Sequence, residues 1–280
     1  MAQYEIRPLQ LKILDIMTAF DKICREHGLT YYIWAGTMLG AVRHGGFIPW
    51  DDDADIALPR KDYDILVSHA AEWIPQPYEL NCIEKSDAFT GTYAKFIDGS
   101  TTIVERYDFN SVGGIYVDIF PIDETYNCRF LAKIRASRYK ILNKLAYFCN
   151  RNPYKHGKGP SSWLPRTVQA LTTNAILQKR ACRIMKSGSF PKSKYVCDYD
   201  FGTRGIMPKD IIGKPTPIMF EGREFMGVEF PDRYLPHFYG DYMKLPDEKD
   251  RKQHNFYYLN YDLPYSQYVD DRSFVKDKKQ

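Results

Sequence analysis

Residues 47–58, FIPWDDDADIAL, place four aspartates within five positions and then continue into a short apolar run. Side chains alternate between the two faces of an extended strand, so every second aspartate points the same way. Asp53 and Asp55 then share one face, while Ile56 and Leu58 share the other and can enter a core. Neighbouring carboxylates repel one another. The pattern therefore predicts either a strand whose acidic face binds a cation or an acidic turn exposed to water.

A third aspartate, Asp118, stands inside an apolar, strand-like segment, GGIYVDIFPID. A charged side chain is costly to bury unless it is paired or bound to a metal. If this strand lies beside the first, Asp118 joins Asp53 and Asp55 in a set of oxygen ligands of the kind that Mg²⁺ prefers. The alternative is that Asp118 caps a segment or pairs with a lysine.

A glycine turn precedes the acidic segment. In WAGTMLG, a predicted strand ends and a helix begins at Gly36 and Thr37, which exposes backbone N–H groups and a hydroxyl to an anion. A Gly-Thr pair alone carries little information, but a phosphate at this turn would lie close to the acidic segment. The phosphate turn and the three carboxylates together predict metal-assisted phosphoryl transfer, in which positioning and charge neutralisation dominate catalysis.

The predicted elements divide the chain into two parts. In residues 1–125, the patterns predict helices over 9–24, 36–46 and 60–74 and strands over 30–35, 54–58, 78–83, 92–98, 101–105 and 115–120. In residues 126–280, they predict helices over 129–150 and about 164–187, a loop over 151–162, and a Tyr-, Pro- and Gly-rich region from 195 onward. We therefore predict an α+β fold. Residues 1–125 form a catalytic core with a mixed β-sheet flanked by helices, and residues 126–280 form a helical and irregular region that packs on the core and helps to form the substrate cleft.

Composition narrows the class of protein. The chain has 280 residues and a formal net charge of +4, which does not require a nucleic-acid partner. Its six cysteines include no CxxC motif, so we expect free thiols in a reducing compartment rather than a zinc or redox centre. Neither a signal peptide nor an apolar run long enough to span a membrane is evident, so a cytoplasmic location is expected.

The segment GTMLGAVRHGGFIPWDDDADIAL resembles the LicD family of lipopolysaccharide choline phosphotransferases, which is related to fukutin-type proteins and lies within the DNA-polymerase-beta-like nucleotidyltransferase superfamily. The similarity continues through GGIYVDIFPID and YLPHFYGDYMKLPDEKDRKQH and covers roughly residues 9–260. It implies a nucleotidyltransferase-like sheet and transfer of a phosphocholine-type group from a CDP-alcohol, with CDP-choline as the first choice. The implied acceptor is a hydroxyl of a cell-surface glycan, such as lipopolysaccharide or teichoic acid, or of its lipid-linked precursor, and CMP is released.

The resemblance also assigns site residues. Asp53 and Asp55 match the family's paired carboxylates and Asp118 its third, which implies that these catalytic residues hold one or two Mg²⁺ ions, or Mn²⁺ in their place. The residues expected at the donor phosphates are Gly36, Thr37, Arg43, His44 and Lys95. The accessory residues expected around them are Asp51, Asp52, Asp241, Arg251 and His254. Thr37 stands where the wider superfamily often has Ser, which keeps the hydroxyl.

Several of these residues have structural alternatives. Arg43 and His44 end the short helix, where basic side chains complement the negative helix terminus. Lys95 either meets a donor phosphate or lies at the edge of the sheet. The three C-terminal accessory residues either frame the cleft or belong to a packed turn. The basic helix predicted over 129–150 either lies on an anionic membrane, which suits a lipid-linked acceptor, or presents a solvated face.

Two other functions are compatible with the sequence. A nucleotidyltransferase that moves NMP from an NTP to a small molecule would use the same carboxylates, and only the phosphate that is attacked would differ. A non-catalytic glycan- or nucleotide-binding protein could keep the fold, although the presence of Asp53, Asp55 and Asp118 argues against it. Measuring whether CMP or pyrophosphate is released distinguishes the first alternative from the choline phosphotransferase.

Overall fold

The computed structural model describes residues 5–109, 111–187, 193–251, 253–254 and 256–272. Its helices are α1 (Ile6–Glu26), α2 (Ala35–His44), α3 (Arg60–Trp73), α4 (Arg129–Asn150), α5 (Trp163–Leu171), α6 (Asn174–Lys186) and α7 (Pro231–Tyr239). Its strands are β1 (Tyr32–Ile33), β2 (Asp55–Pro59), β3 (Tyr78–Cys82), β4 (Ala94–Val104), β5 (Gly113–Glu124), β6 (Tyr195–Cys197), β7 (Ile206–Pro208), β8 (Thr216–Phe220), β9 (Arg223–Gly227) and β10 (Tyr258–Asn260). The fold is α+β, as predicted.

A mixed β-sheet organises the described residues, and its main path runs β1-β2-β5-β4-β10. β2 and β5 are parallel, whereas β1 pairs with β2, and β4 with β5, in antiparallel fashion. β3 and β10 pair with successive parts of β4, and β6 and β7 extend the sheet from the end of β5. The registers place Asp55 beside Asp118 and Asp118 beside Lys95. Three charged residues therefore lie on one line across three strands.

α1 packs one continuous apolar stripe onto the sheet. Leu9, Ile13 and Phe20 recur at helical spacing and are buried. The Phe20 ring meets Phe96 of β4 edge-on, with 5.3 Å between the ring centres. Burying an apolar side chain of this size contributes about 1.5–3 kcal/mol. This packing fixes the position of the strands that carry the charged line.

Most predicted helices are confirmed, and one prediction was wrong in its extent. α1, α2, α3 and α4 occupy the segments predicted for them. The single helix predicted over about 164–187 is two helices, α5 and α6, separated at Thr172 and Thr173. The Thr173 hydroxyl accepts a hydrogen bond from Ile176 N at 3.3 Å and so caps α6. Two successive β-branched residues are also poor helix formers, which explains the break.

The segments predicted as separate strands over 92–98 and 101–105 form one strand, β4. The prediction of two strands was wrong because β4 is irregular in its central part but stays within the sheet. The register of β4 with β5 shifts between Asp98 and Ile103, so additional β4 residues lie between two paired stretches. Such a bulge bends a strand and does not end it.

β5 continues past Pro121, where it was predicted to end. Asp118 donates its backbone N–H to Ala54 O, on the side of β5 that faces β2. Backbone N–H groups point alternately to the two sides of a strand, so the backbone nitrogen of residue 121 faces the opposite side. On that side, pairing between β4 and β5 reaches only Ile119. The missing N–H of proline therefore costs no ladder hydrogen bond.

The later residues contribute to the same sheet. β6, β7 and β10 join it, and α7 packs against α2. The division of the chain at residue 125 stays a prediction. The pair β8–β9 and α7 were not anticipated, because the Tyr- and Pro-rich sequence there shows no long periodicity.

All six cysteines are free thiols. Among the described residues, no helix combines the length and the apolar character that crossing a membrane requires.

Asp98 links α1 to the irregular part of β4. Its carboxylate is buried, pairs with Lys12 Nζ at 2.6 Å and accepts a hydrogen bond from Ser100 N at 2.9 Å. Burial alone would raise the pKa of Asp98, but these hydrogen bonds outweigh it and lower the pKa below its ordinary value. We expect Asp98→Asn to lower the free energy of unfolding at neutral pH by about 2 kcal/mol, measured by urea denaturation.

The effect of Asp98→Asn should depend on pH. A lowered pKa in the folded state stabilises the protein above the unfolded-state value of about 4, and this stabilisation is lost as the pH falls through the folded-state value. The difference between wild type and variant should therefore shrink below about pH 4. Asp15→Asn is the control, because Asp15 is exposed and pairs with Arg223 at 3.2 Å on the surface. That variant should lose less than about 0.5 kcal/mol, and equal losses would contradict the role given to Asp98.

Candidate active site

The site is built on the turn between β1 and α2. Trp34 donates its backbone N–H to Asp55 O at 2.8 Å, which links the turn to the start of β2. Ala35 has a φ of 43°, a left-handed conformation that costs a non-glycine residue about 1 kcal/mol. Its N–H donates to the Tyr234 hydroxyl of α7 at 3.1 Å. Contacts from β2 and α7 therefore hold a strained turn in place.

Gly36 and Thr37 lie in the first turn of α2, whose N–H groups have no partners within the helix. A Cβ atom on Gly36 would lie 3.2 Å from Asp51 Oδ2, so glycine leaves room for that carboxylate. The Thr37 hydroxyl is buried and accepts a hydrogen bond from Asp55 N at 2.8 Å. The predicted phosphate turn thus lies against two aspartates. An anion bound there would need a cation between itself and these carboxylates.

Asp55 and Asp118 are neighbours across the parallel strands β2 and β5. Burial, and after it the charges of Asp53 and Asp118, raise the pKa of Asp55 well above its ordinary value. Burial also raises the pKa of Asp118 to about 7, although Lys95 acts in the opposite direction. Asp118 Oδ1 is buried and has no hydrogen-bond partner among the described residues. Two adjacent carboxylates, one of them with a buried oxygen that accepts no hydrogen bond from the residues that the structure describes, attract a cation.

The aspartates before β2 alternate as predicted. Asp52 is buried, whereas Asp51 and Asp53 on either side of it are partly accessible. Burial, and after it the charge of Asp53, raise the pKa of Asp51 well above its ordinary value. Burial likewise raises the pKa of Asp53. Negative charge is therefore crowded on the face that these two residues share with Asp55.

His254 brings the C-terminal part of the chain to this cluster. Its backbone N–H donates to Asp52 Oδ2 at 2.9 Å, and its ring Nδ1 donates to Asp52 Oδ1 at 2.6 Å. Nε2 lies 3.8 Å from Asp53 Oδ2. The hydrogen bond to Asp52 and the charge of Asp53 raise the pKa of His254 to about 9, although burial opposes them. Two of the predicted accessory residues, Asp52 and His254, therefore contact each other beside Asp53.

The donor set fits a divalent cation. One ligand atom from each of Asp52, Asp53 and His254 lies within 4.8 Å of the others. Asp55 and Asp118 lie side by side on neighbouring strands and are not part of this set, although the charge of Asp53 contributes to the raised pKa of both. Oxygen-rich sets of this kind are preferred by Mg²⁺ and Mn²⁺. A bound cation would also offset the repulsion between these carboxyl groups.

Lys95 lies in a central strand and not at the sheet edge, because β4 pairs with β5 on one side and with β3 on the other. Its ammonium group is 4.0 Å from Asp118 Oδ1 and 3.4 Å from the centre of the Tyr116 ring, and it also pairs with Glu105. Burial would raise the pKa of Glu105, but Lys95 more than offsets this and lowers it. Lys95 therefore balances the charges of Glu105 and Asp118 from within the sheet.

The other predicted residues make contacts further from the cluster. Arg43 donates to a backbone carbonyl that follows α7 at 2.8 Å, and burial lowers the pKa of Arg43. His44 is exposed, and its ring centre is 6.3 Å from that of Trp50. Arg251 stacks over the Trp50 ring at 4.7 Å, and Asp241 is exposed. Among the described residues, no hydrogen bond or ion pair joins these four predicted side chains to the aspartates.

Asp200, which follows β6, was missed at the sequence level. Its charge contributes to the raised pKa of both Asp55 and Asp118, so its carboxylate lies near them. The neighbouring Asp198 is buried and accepts a hydrogen bond from Trp34 Nε1 at 2.7 Å, which links this loop to the turn before α2. A signal was present, because CDYDF repeats the D-x-D spacing directly after a short apolar segment.

Comparisons with known proteins identify related sequences. Residues 28–141 match the family model described as LicD/FKTN/FKRP, nucleotidyltransferase domain. The chain is 30% identical over 273 residues to the lipopolysaccharide cholinephosphotransferase LicD of Haemophilus influenzae, an alignment that covers 91% of this chain and 97% of that protein. It is also 40% identical over 70 residues to the uncharacterized protein RP689 of Rickettsia prowazekii, which is 25% of each chain. The similarity to the Haemophilus influenzae protein extends over nearly the whole chain.

Proposed function

The chain belongs to the LicD family, and from this premise we propose that it transfers a choline-phosphate group to a hydroxyl of lipopolysaccharide or of its lipid-linked precursor. The proposed donor is CDP-choline or a related CDP-alcohol, and the proposed leaving product is CMP. A phosphotransferase needs a site that neutralises phosphate charge. The observation that carries the proposal is the cluster of Asp53, Asp55 and Asp118, in which Asp118 has a buried oxygen without a hydrogen-bond partner among the described residues.

We assign Asp53, Asp55 and Asp118 to hold a divalent cation, Mg²⁺ in the first place, with Asp51 and His254 beside them. When bound, the cation neutralises charge on the transferring phosphate and polarises the acceptor hydroxyl. Burial, and after it the charges of neighbouring aspartates, raise the pKa of Asp51 and Asp55, which supports this assignment because a bound cation would offset both effects.

The proposed reaction is a displacement at the phosphorus atom that bears choline. The acceptor hydroxyl oxygen forms a bond to this phosphorus, the bond from phosphorus to the bridging oxygen breaks, and CMP leaves with that oxygen. Asp118 accepts the hydroxyl proton, and its buried oxygen without a hydrogen-bond partner among the described residues supports this role. The first-turn N–H groups at Gly36 and Thr37 orient the donor phosphates. Lys95 keeps the Asp118 carboxylate in position from 4.0 Å.

We further propose that residues 126–280 complete the cleft that residues 1–125 begin. Asp200 and His254, both from the later part, lie beside the aspartates of the earlier part, which supports this division of roles. A cytoplasmic location, at the inner face of a membrane, fits the six free thiols, since cysteines stay reduced there. Nucleic acid is not proposed as a partner.

The direct test is product analysis. With CDP-choline, a lipopolysaccharide acceptor and Mg²⁺, we expect CMP to accumulate together with choline-modified glycan, and we expect a chelator to stop both. CDP-ethanolamine in place of CDP-choline reports which alcohol is preferred. Mass spectrometry of the acceptor and chromatography of the nucleotides provide the measurements.

Two outcomes would replace this proposal. Pyrophosphate released from an NTP, with NMP found on the acceptor, would assign the chain to nucleotidyl transfer. Binding of nucleotide without turnover of any CDP-alcohol, in the presence of Mg²⁺ or Mn²⁺, would assign it to a non-catalytic binding protein.

A further inference from the structure

Charge is distributed very unevenly along the chain. Residues 125–197 contain sixteen of the 39 Lys and Arg residues and none of the 35 Asp and Glu residues, although the net charge of the whole chain is only +4. This acid-free segment contains α4, α5 and α6. Lys155, Lys179 and Lys186 pair with carboxylates from outside the segment, and the surplus of positive charge rests on the remaining basic residues, six of which lie in α4.

α4 has an apolar stripe on the face that is turned away from the protein. Phe130, Ile134 and Ile141 are exposed by 70%, 43% and 60%. Their helical spacing places all three on one face, and the opposite face is buried. Lys133 and Lys144 are exposed beside them. A helix that packs on a core with one face and is apolar again on the other is not expected to face water alone.

The stripe continues towards α5. Leu145 and Phe148 prolong it along α4 and pack against the cluster that contains Val168 of α5. α5 in turn exposes Trp163 by 64% and Leu171 by 80%. We name as the outer surface five of the exposed apolar residues of the two helices: Phe130, Ile134, Ile141, Trp163 and Leu171.

We infer that the outer surface docks on a membrane with anionic headgroups. Large apolar and aromatic side chains beside Lys and Arg are the composition with which amphipathic helices lie in a membrane interface. Each basic side chain close to an anionic surface adds attraction, which salt weakens. Nucleic acid would match the charge, but aliphatic side chains such as Ile141 and Leu171 do not stack on bases. A membrane accounts for both the charge and the aliphatic residues.

The position of the outer surface suits a lipid-linked acceptor, and in this respect the inference rests on the proposed function. Tyr139, on the buried face of α4, shares a hydrogen bond of 2.7 Å with Thr92. The next residue, Tyr93, lies near Asp118, whose charge adds to the effect of burial in raising the pKa of Tyr93. The outer surface and the segment of Thr92 and Tyr93 therefore lie on opposite faces of α4, whose diameter is about 10 Å.

The test is co-sedimentation of the full chain with vesicles. We expect binding to vesicles of phosphatidylcholine and phosphatidylglycerol in equal parts, weaker binding to phosphatidylcholine alone, and loss of binding at high salt. The double substitution Ile134→Glu and Ile141→Glu should weaken binding by about tenfold or more, because it removes apolar side chains and adds negative charge. Lys133→Gln with Lys144→Gln should weaken binding to the anionic vesicles through charge alone.

A matched control places the same substitutions elsewhere. Leu11 and Met219 are exposed by 46% and 54%, close to the values for Ile134 and Ile141, and lie outside the acid-free segment. Leu11→Glu with Met219→Glu should bind vesicles as the wild type does, and circular dichroism should show that all variants are folded. Equal losses in both double variants would overturn the inference.

Other outcomes also decide against it. Absence of wild-type binding to anionic vesicles would overturn the inference. A second contrary result would be binding to a single-stranded RNA homopolymer that is tighter than binding to vesicles at the same salt concentration. If the isoleucine substitutions left this RNA binding unchanged, the surface would be a nucleic-acid site. Vesicle binding needs neither donor nor acceptor, so its failure leaves CMP release untouched. Failure of CMP release, in turn, leaves vesicle binding unaffected.

Discussion

Asp55→Asn is expected to reduce CMP release by about a thousandfold or more and to leave the protein at least as stable as the wild type. The substitution keeps the shape of the side chain. It also keeps the backbone N–H of residue 55, which donates to the Thr37 hydroxyl at 2.8 Å. Burial and the charges of Asp53 and Asp118 raise the pKa of Asp55, so its ionised form costs the folded state free energy. An amide removes that cost together with the ligand charge.

Two measurements separate the effect on function from the effect on folding. Rates of CMP release report the function, and melting temperatures with and without Mg²⁺ report folding and cation binding. A ligand that binds only the folded state stabilises it, so Mg²⁺ should raise the melting temperature of the wild type more than that of Asp55→Asn. Asp118→Asn should behave in the same way, because its carboxylate is the neighbour of Asp55 across β2 and β5.

The control for these variants is Asp210→Asn. Asp210 is exposed and pairs with Arg233 at 3.0 Å, away from the cluster. This variant should retain its activity, since a surface ion pair contributes less than about 1 kcal/mol. If Asp55→Asn kept its activity within tenfold of the wild type, the assignment of the cluster as the catalytic site would be wrong. Loss of activity with a much lower melting temperature would point to misfolding.

Local sequence patterns predicted the acidic segment well because they depend on neighbouring residues alone. Alternation along residues 51–55 separated the buried Asp52 from Asp51 and Asp53, and the structure has this order. The position of Asp118 was suggested by an aspartate within an apolar strand. Its register with Asp55 depends on how β2 and β5 pair, which no local pattern contains. The resemblance to a family supplied that link.

Residues that reach the site through long-range contacts were harder to predict. Asp200 approaches Asp55 only because the chain returns after α4, α5 and α6 to add β6 at the end of β5. Lys95 could be either an edge residue or a site residue as long as the partners of β4 were unknown. His254 reaches Asp52 through a segment without periodic structure. In each case the sequence contains the residue, and the topology determines its neighbours.

The register that aligns the charged residues depends on a close approach at Gly114. β4 and β5 pair at Asp98 with Ile115 and again at Ile103 with Gly113, so the extra β4 residues must lie against Gly114. A Cβ atom on Gly114 would lie 2.0 Å from Asp98 O, which is far inside van der Waals contact. The atom that it meets belongs to the backbone of a paired strand and cannot rotate away.

Gly114→Ala should therefore lower the free energy of unfolding by about 3 kcal/mol or more, since the two strands must separate or shift to admit one methyl group. Asp118 is four residues further along β5, and a shift there would also move it relative to Asp55 and Lys95. We expect CMP release to fall even at temperatures at which the variant stays folded. Urea denaturation and rate measurements on the same preparation test both effects.

Gly113→Ala is the matched control for Gly114→Ala. The two glycines are adjacent in β5, and neither has a positive φ, so alanine is compatible with both backbone conformations. A Cβ atom on Gly113 would meet nothing within 4 Å. Its substitution should change the free energy of unfolding by less than about 0.5 kcal/mol and leave CMP release intact. Equal effects of the two substitutions would contradict the steric argument. The loss of stability would then come from the different strand propensities of glycine and alanine and not from the contact with Asp98.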